Sequence, residues 1–136
     1  MAHLSKHQLQ PHQLEQLFSQ LNKLVGKLNE NTASDFLSEL LGKEEKIMIA
    51  KRLAAIVMLV EGNSIYRVAQ LLLISPSTTE RIKLNLEIGK YRKLVRILKN
   101  NKNDYKQFWE MLEVILRAGL PPRGRGRWKS VLKHME

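Results

Sequence analysis

Residues 61–82 read EGNSIYRVAQLLLISPSTTERI, and this run decides the fold. It reads as two short helices joined by a tight turn. The first begins after Ser64 and buries Ile65, Val68, Ala69 and Leu72, the spacing of one helix face. The second begins at Ser75-Pro76: a capping hydroxyl, then a proline whose φ is preset for the first helical position. Ser77 with Glu80 three residues on has the form of a capping box and offers a competing start; the Ser75-Pro76 start is preferred. Such a pair has the shape of a helix-turn-helix. In that motif the second helix lies in the DNA major groove with its N-terminal residues at the base edges.

A helical wheel sorts the side chains of the second helix. With Ile82 facing the core, Ser75, Thr78, Thr79 and Leu86 lie within about 60° of it at roughly 100° per residue. Ser77 and Arg81 lie on the far side, with Glu80 beside them. Ser77, Thr78 and Arg81 are therefore the candidates for groove contacts. Arginine suits guanine O6 and N7, and serine or threonine donates to bases or phosphates. Ser75, Thr79, Lys83 and, on the first helix, Arg67 complete the set of candidate DNA contacts. Leu84 and Ile88 also lie on the far side. An apolar patch there calls for a cover, either residues 91–98 folded back or a second subunit. A homodimer is the expectation, since two half-sites multiply specificity.

The charge points the same way. The 136 residues carry 23 Lys and Arg against 13 Asp and Glu, a formal net charge of +10. Residues 80–106 hold nine bases against three acids, and residues 117–136 hold six against one. The first 42 residues, by contrast, have three bases and four acids. A basic stripe that follows a recognition helix is the electrostatic footprint of a polyanion.

The rest of the chain reads as helices throughout. Residues 10–29 repeat apolar side chains at Leu14, Leu17, Phe18, Leu21, Leu24, Val25 and Leu28, an amphipathic helix ended by Asn29-Glu30-Asn31. Ser34 is expected to cap a short helix with Phe36, Leu37, Leu40 and Leu41 inward. Residues 43–61 are apolar nearly all round, as in a helix buried on most sides, and Gly62 supplies a left-handed stop. Gly89 closes the second helix of the pair. Tyr91, Leu94, Val95, Ile97 and Leu98 resume the pattern, residues 100–103 form a polar turn, and Asp104 caps a last long helix closed by Gly119. Leu120-Pro121-Pro122 cannot be helix interior. The expected organisation is a dimerising helix in 1–33, a helix-turn-helix core in 34–99, a C-terminal helix in 100–120 and a basic tail in 121–136. In that tail Arg123, Arg125 and Arg127 alternate with glycine, which resembles arms that enter a narrow minor groove, although the central Gly-Arg-Pro of a true hook is absent. Residues 128–135 are expected to form a short helix with Val131, Leu132 and Met135 inward and Trp128 packed on the domain.

Residues 39–89 resemble the Trp repressor superfamily, and look closest to its members of unassigned ligand. The matching pattern is Lys43-Glu44-Glu45, then Ala50-Lys51-Arg52, an apolar run ending at Glu61-Gly62, then Ser64, Val68-Ala69 and S-x-S-T-T-E-R from Ser75 to Arg81. The resemblance implies an all-α, intertwined homodimer that represses transcription at operator DNA. In the tryptophan-binding part of the family two arginines sandwich the indole of a bound L-tryptophan corepressor. Arg52 and Arg81 fall at matching positions if one residue is dropped after Gly62, and a cation pair on an aromatic ring is physically sensible. One departure is the turn, where the family has glycine and this chain has Leu73-Ile74. A non-glycine residue with positive φ is unfavourable, so an altered turn is expected.

Other functions find less support. With no cysteine, disulfides, thiolate metal sites and cysteine nucleophiles are excluded. His3 and His7 stand four apart but have no third ligand near by, so no metal site is expected. No catalytic triad, paired-carboxylate motif or phosphate-cradling glycine loop appears, and the chain does not read as an enzyme. The longest apolar run, Leu53–Val60, is far short of the roughly 20 residues that cross a bilayer. The N-terminus has no apolar core of a secretion signal. The reading is a soluble, cytoplasmic, sequence-specific DNA-binding regulator. The alternatives are a basic RNA- or ribosome-associated protein and the DNA-recognition part of a transposase or recombinase.

Overall fold

A computed structural model describes residues 8–118 of the chain. Among them are seven α-helices and no strand, so the protein is all-α. The chain divides into two units, with the boundary between Ile49 and Ala50.

The first unit holds α1 (Pro11–Gly26), α2 (Glu30–Leu40) and the start of α3 (Lys43–Val60). Pro11 occupies the first helical position of α1, and the Gln13 side chain accepts the Gln10 amide at 2.9 Å. α2 starts earlier than the Ser34 cap predicts. Asn29 caps it: Asn29 Oδ1 accepts from the Thr32 amide at 2.9 Å, and Thr32 Oγ1 accepts from the Asn29 amide at 2.8 Å. The reciprocal pair satisfies two amides that a helix start leaves without partners, so Asn29 opens a helix and Ser34 lies inside it. No residue from 8 to 49 is buried.

The second unit has a core. Ala54, Ala55, Ile56, Val57 and Met58 of α3 pack with residues of α4 (Ile65–Leu72), α5 (Pro76–Glu87) and α7 (Lys102–Ala118). The inward side chains are Val68 and Leu71, Ile82, and Leu112 and Ile115 respectively. Leu94, Val95 and Leu98 of α6 (Arg92–Asn100) lie against this cluster, half-buried. Ile65 and Leu72, expected inside, are also half-buried, and Leu71 is the fully buried leucine of α4. The expectation that α3 is covered on most sides holds only for its second half. Ile47, Met48 and Ile49 are exposed, because an all-round apolar pattern does not say which turns find neighbours.

Three helix ends use one device. Gly62 (φ 93°), Leu73 (φ 54°) and Gly89 (φ 83°) each adopt the left-handed conformation. The following amide in each case reaches back five residues: Asn63 to Met58 at 3.0 Å, Ile74 to Ala69 at 3.1 Å and Lys90 to Asn85 at 2.9 Å. This is the long bond of the Schellman motif. Between α6 and α7 the expected four-residue turn shrinks to Asn101 alone. Its side-chain amide donates to the Ile97 carbonyl at 3.2 Å while its carbonyl accepts from Tyr105 at 2.8 Å, so one residue closes one helix and opens the next. Asp104 lies in the first turn of α7. The Tyr105 hydroxyl donates to the Glu61 carboxylate, fastening α7 to the turn after α3.

Candidate nucleic-acid interface

The pair α4–α5 has the local geometry that its sequence dictates. Ser64 caps α4, its Oγ accepting from the Arg67 amide at 3.2 Å. Ser75 caps α5, its Oγ accepting from the Thr78 amide at 3.1 Å, with Pro76 next. The competing start at Ser77 is not used. α4 and α5 pack against each other across the turn of Leu73, Ile74 and Ser75. Leu73 takes the left-handed position without being glycine. This conformation costs a non-glycine residue about 1–2 kcal/mol.

α5 then presents its residues in two classes. Ile82 and Thr79 are buried, and Thr79 has no exposed surface at all. Ser77, Glu80 and Arg81 are exposed on the opposite side, and Thr78 is half-buried. Thr79 is a correction to the candidate set: its hydroxyl donates to the Ser75 carbonyl at 3.0 Å, and a fully enclosed side chain cannot meet a base. Ser75 and Thr78 are partly committed as well, since Ser75 Oγ donates to Thr78 Oγ1 at 2.8 Å. Ser77 Oγ also lies 3.3 Å from Ser75 Oγ, a weaker bond of the same cluster, so the exposed groups a ligand would meet on this face are Ser77, Arg81 and the Glu80 carboxylate beside them. The first turn of α5 carries no carboxylate, so the positive end of the helix dipole is not neutralised there.

The remaining candidates are scattered. Arg67 is exposed, but its guanidinium donates to the Leu116 carbonyl near the end of α7, which gives it a role in joining α4 to α7. Lys83 is half-buried and lines an open cleft of about 550 Å³ with Leu59, Val60, Glu87, Tyr91 and Arg92. Arg52 and Arg81, the two positions the family resemblance assigns to a corepressor, are both exposed, and neither lines that cleft. Leu84 and Ile88 are 55% and 67% exposed, so residues 91–98 do not fold back over them. Arg123, Arg125, Arg127 and Trp128, together with His3 and His7, lie outside the described residues.

The sequence reading missed a set of cations. It counted the basic stripe of residues 80–106 as a whole and named none of Arg92, Lys93, Arg96 and Lys99 as a contact, although all four are exposed on α6. The signal was present in the density of basic residues from 80 to 106. Among the described residues, no helix is long and apolar enough to cross a membrane and no cluster of potential metal ligands forms. Compared with known protein families, with curated proteins and with solved structures, the chain matches none.

Proposed function

We propose that the protein is a sequence-specific DNA-binding regulator, repressor-like in action, that reads the major groove with α5. The observation that carries this reading is the division of α5 into two faces. Ile82 and Thr79 are enclosed in the domain, while Ser77 and Arg81 are exposed near the helix start. Recognition helices present their N-terminal residues to base edges in this way. The charge supports it: residues 50–118 hold 13 Lys and Arg against six Asp and Glu. The sequence resemblance to the Trp repressor superfamily agrees with this reading.

The same reading includes a homodimer. α1 exposes Leu14, Leu17, Phe18, Leu21, Leu24 and Val25 along one stripe and buries none of its residues. Residues 8–49 carry four Lys against six Asp and Glu, a balance suited to a protein contact rather than to a polyanion. A contiguous apolar surface of this kind marks an association site.

Selection of binding sites from a random duplex DNA library with the full chain tests the proposal. A palindromic consensus is expected, with half-sites spaced by one helical turn or a multiple of it. Enrichment of no sequence, together with tighter binding to structured RNA at equal salt, would sink it in favour of an RNA-associated role.

A further inference from the structure

α6 reads RKLVRILKN. At roughly 100° per residue, Arg92, Lys93, Arg96 and Lys99 share an arc of about 120°, and Leu94, Val95 and Leu98 share the arc opposite. The three apolar side chains pack on the core, and the four cations are exposed. α6 contains no carboxylate. The ion pairs among the described residues, Lys106–Glu110 and Arg117–Glu113, include none of the four. Like charges one turn apart on a helix repel, and nothing on α6 itself relieves them.

We infer that the cationic face of α6 is a second contact for the phosphate backbone of duplex DNA, independent of sequence. The partner, though not the surface, rests on the reading of α5 given above. Dimensions fit. Arg92 and Lys99 are about 10 Å apart along the helix axis at roughly 1.5 Å per residue. One strand of DNA presents about three phosphates over that length, at roughly 3.4 Å of axis each. Lys83 of α5 lines one cleft with Arg92 and Glu87, so α6 carries its cations next to the helix that follows the turn. A basic amphipathic helix also suits an anionic lipid surface, but it binds there by inserting its apolar face. On α6 that face is already spent on the core, apart from Ile97, which is exposed. Lysines and arginines on a face without shape or hydroxyls neutralise phosphates and position the protein rather than read bases.

The test compares the full chain with the triple variant K93Q/R96Q/K99Q, all three positions being exposed and so tolerant of the change. Binding to a random-sequence duplex is measured from 50 to 200 mM salt. Each lost phosphate contact removes about 0.9 from the slope of log K against log salt. The triple variant should therefore lose about 2.7 of slope and at least tenfold in affinity. The loss should be equal on the selected site and on random DNA. An S77A/R81A variant should do the opposite, losing preference while keeping most of the slope. An unchanged slope in the triple variant overturns the α6 contact and leaves the reading of α5 standing. A flattened slope in a protein that prefers no duplex sequence upholds the α6 contact and sinks the reading of α5. If the triple variant instead loses binding only to structured RNA or to phosphatidylserine vesicles, the partner assigned to α6 is wrong.

Discussion

The Thr79 hydroxyl donates to the Ser75 carbonyl at 3.0 Å, on the same oxygen that accepts the Thr79 amide at 3.1 Å. The bond holds the side chain inward at the first turn of α5, where its neighbour Thr78 and the cap Ser75 exchange a hydroxyl bond of their own. Thr79 therefore serves the fold and not a ligand. Thr79→Val keeps the shape and removes the donor, while the Ser75 carbonyl keeps its amide partner. Stability should fall by about 0.5–1.5 kcal/mol, the net worth of one such bond, as read by urea denaturation. Base preference should not move. A relaxed preference at any position of the selected site would return Thr79 to the contact set.

The turn between α4 and α5 stores strain that a single substitution relieves. Gly62 and Gly89 fill the left-handed position at their helix ends, and Leu73 fills it at this one, with the same five-residue bond behind each. A leucine there costs about 1–2 kcal/mol. The residue is 54% exposed, so little packing is lost on removal. Glycine adds about 0.5–1 kcal/mol of backbone entropy to be lost on folding. Leu73→Gly should then raise stability by about 0.5–1 kcal/mol. Gly62→Ala is the mirror experiment: nothing lies within 4 Å of the added carbon, so the cost, about 1 kcal/mol, is conformational alone. A destabilised Leu73→Gly would mean that the leucine, with Tyr66 and Pro76 beside the cleft they share, contributes packing beyond its exposure.

These two positions show what a sequence can and cannot tell. Caps are local chemistry, so Ser64 and Ser75 were legible where they stand, and with them the start of both helices. A left-handed residue in this turn conflicts with leucine, and the structure places that conflict at Leu73, a choice between Leu73 and Ile74 that the sequence leaves open. The wheel put Thr79 on the core side. Its hydroxyl kept it among the contact candidates, and burial decides for the wheel. Residues 43–53 were unreadable for another reason. Ile47, Met48 and Ile49 are as apolar as Ile56, Val57 and Met58, yet only the second trio is buried. Composition gives the appetite of a helix for cover and not the neighbour that meets it. The α6 cations are legible only as charge density: a stripe of leucines and valines dominates that helix, and the charge opposite it forms no motif that singles out a residue.

Arg81 separates reading from holding. It is exposed on α5, outside the ion pairs found among the described residues. A guanidinium bidentate to guanine contributes roughly 1–3 kcal/mol of discrimination. Arg81→Ala should cost about that much at the selected site and relax base choice at one position of each half-site, with a far smaller loss on random DNA. Competition binding with single-base variants of the site measures both. An equal loss on every duplex would make Arg81 a phosphate contact and move base reading to Ser77.

The Glu61–Tyr105 bond makes a prediction at high pH. Burial raises the Tyr105 phenol above its ordinary value, helped by the hydrogen bond it gives Glu61 and by the negative charge of that carboxylate. The folded state therefore holds this proton more tightly than the unfolded chain, whose tyrosines titrate near 10. Stability from the bond is complete below that value. It declines as pH climbs past it, because the unfolded state then releases a proton that the folded state keeps. The comparison is with Tyr105→Phe, which lacks the ionisable group and retains the ring. The advantage of the parent chain over the variant should be constant from pH 7 to 9 and shrink from pH 10 upward, read by denaturant midpoints at each pH. A gap that stays constant to pH 11 would show that the phenol ionises equally in both states and that the bond to Glu61 does not hold its proton.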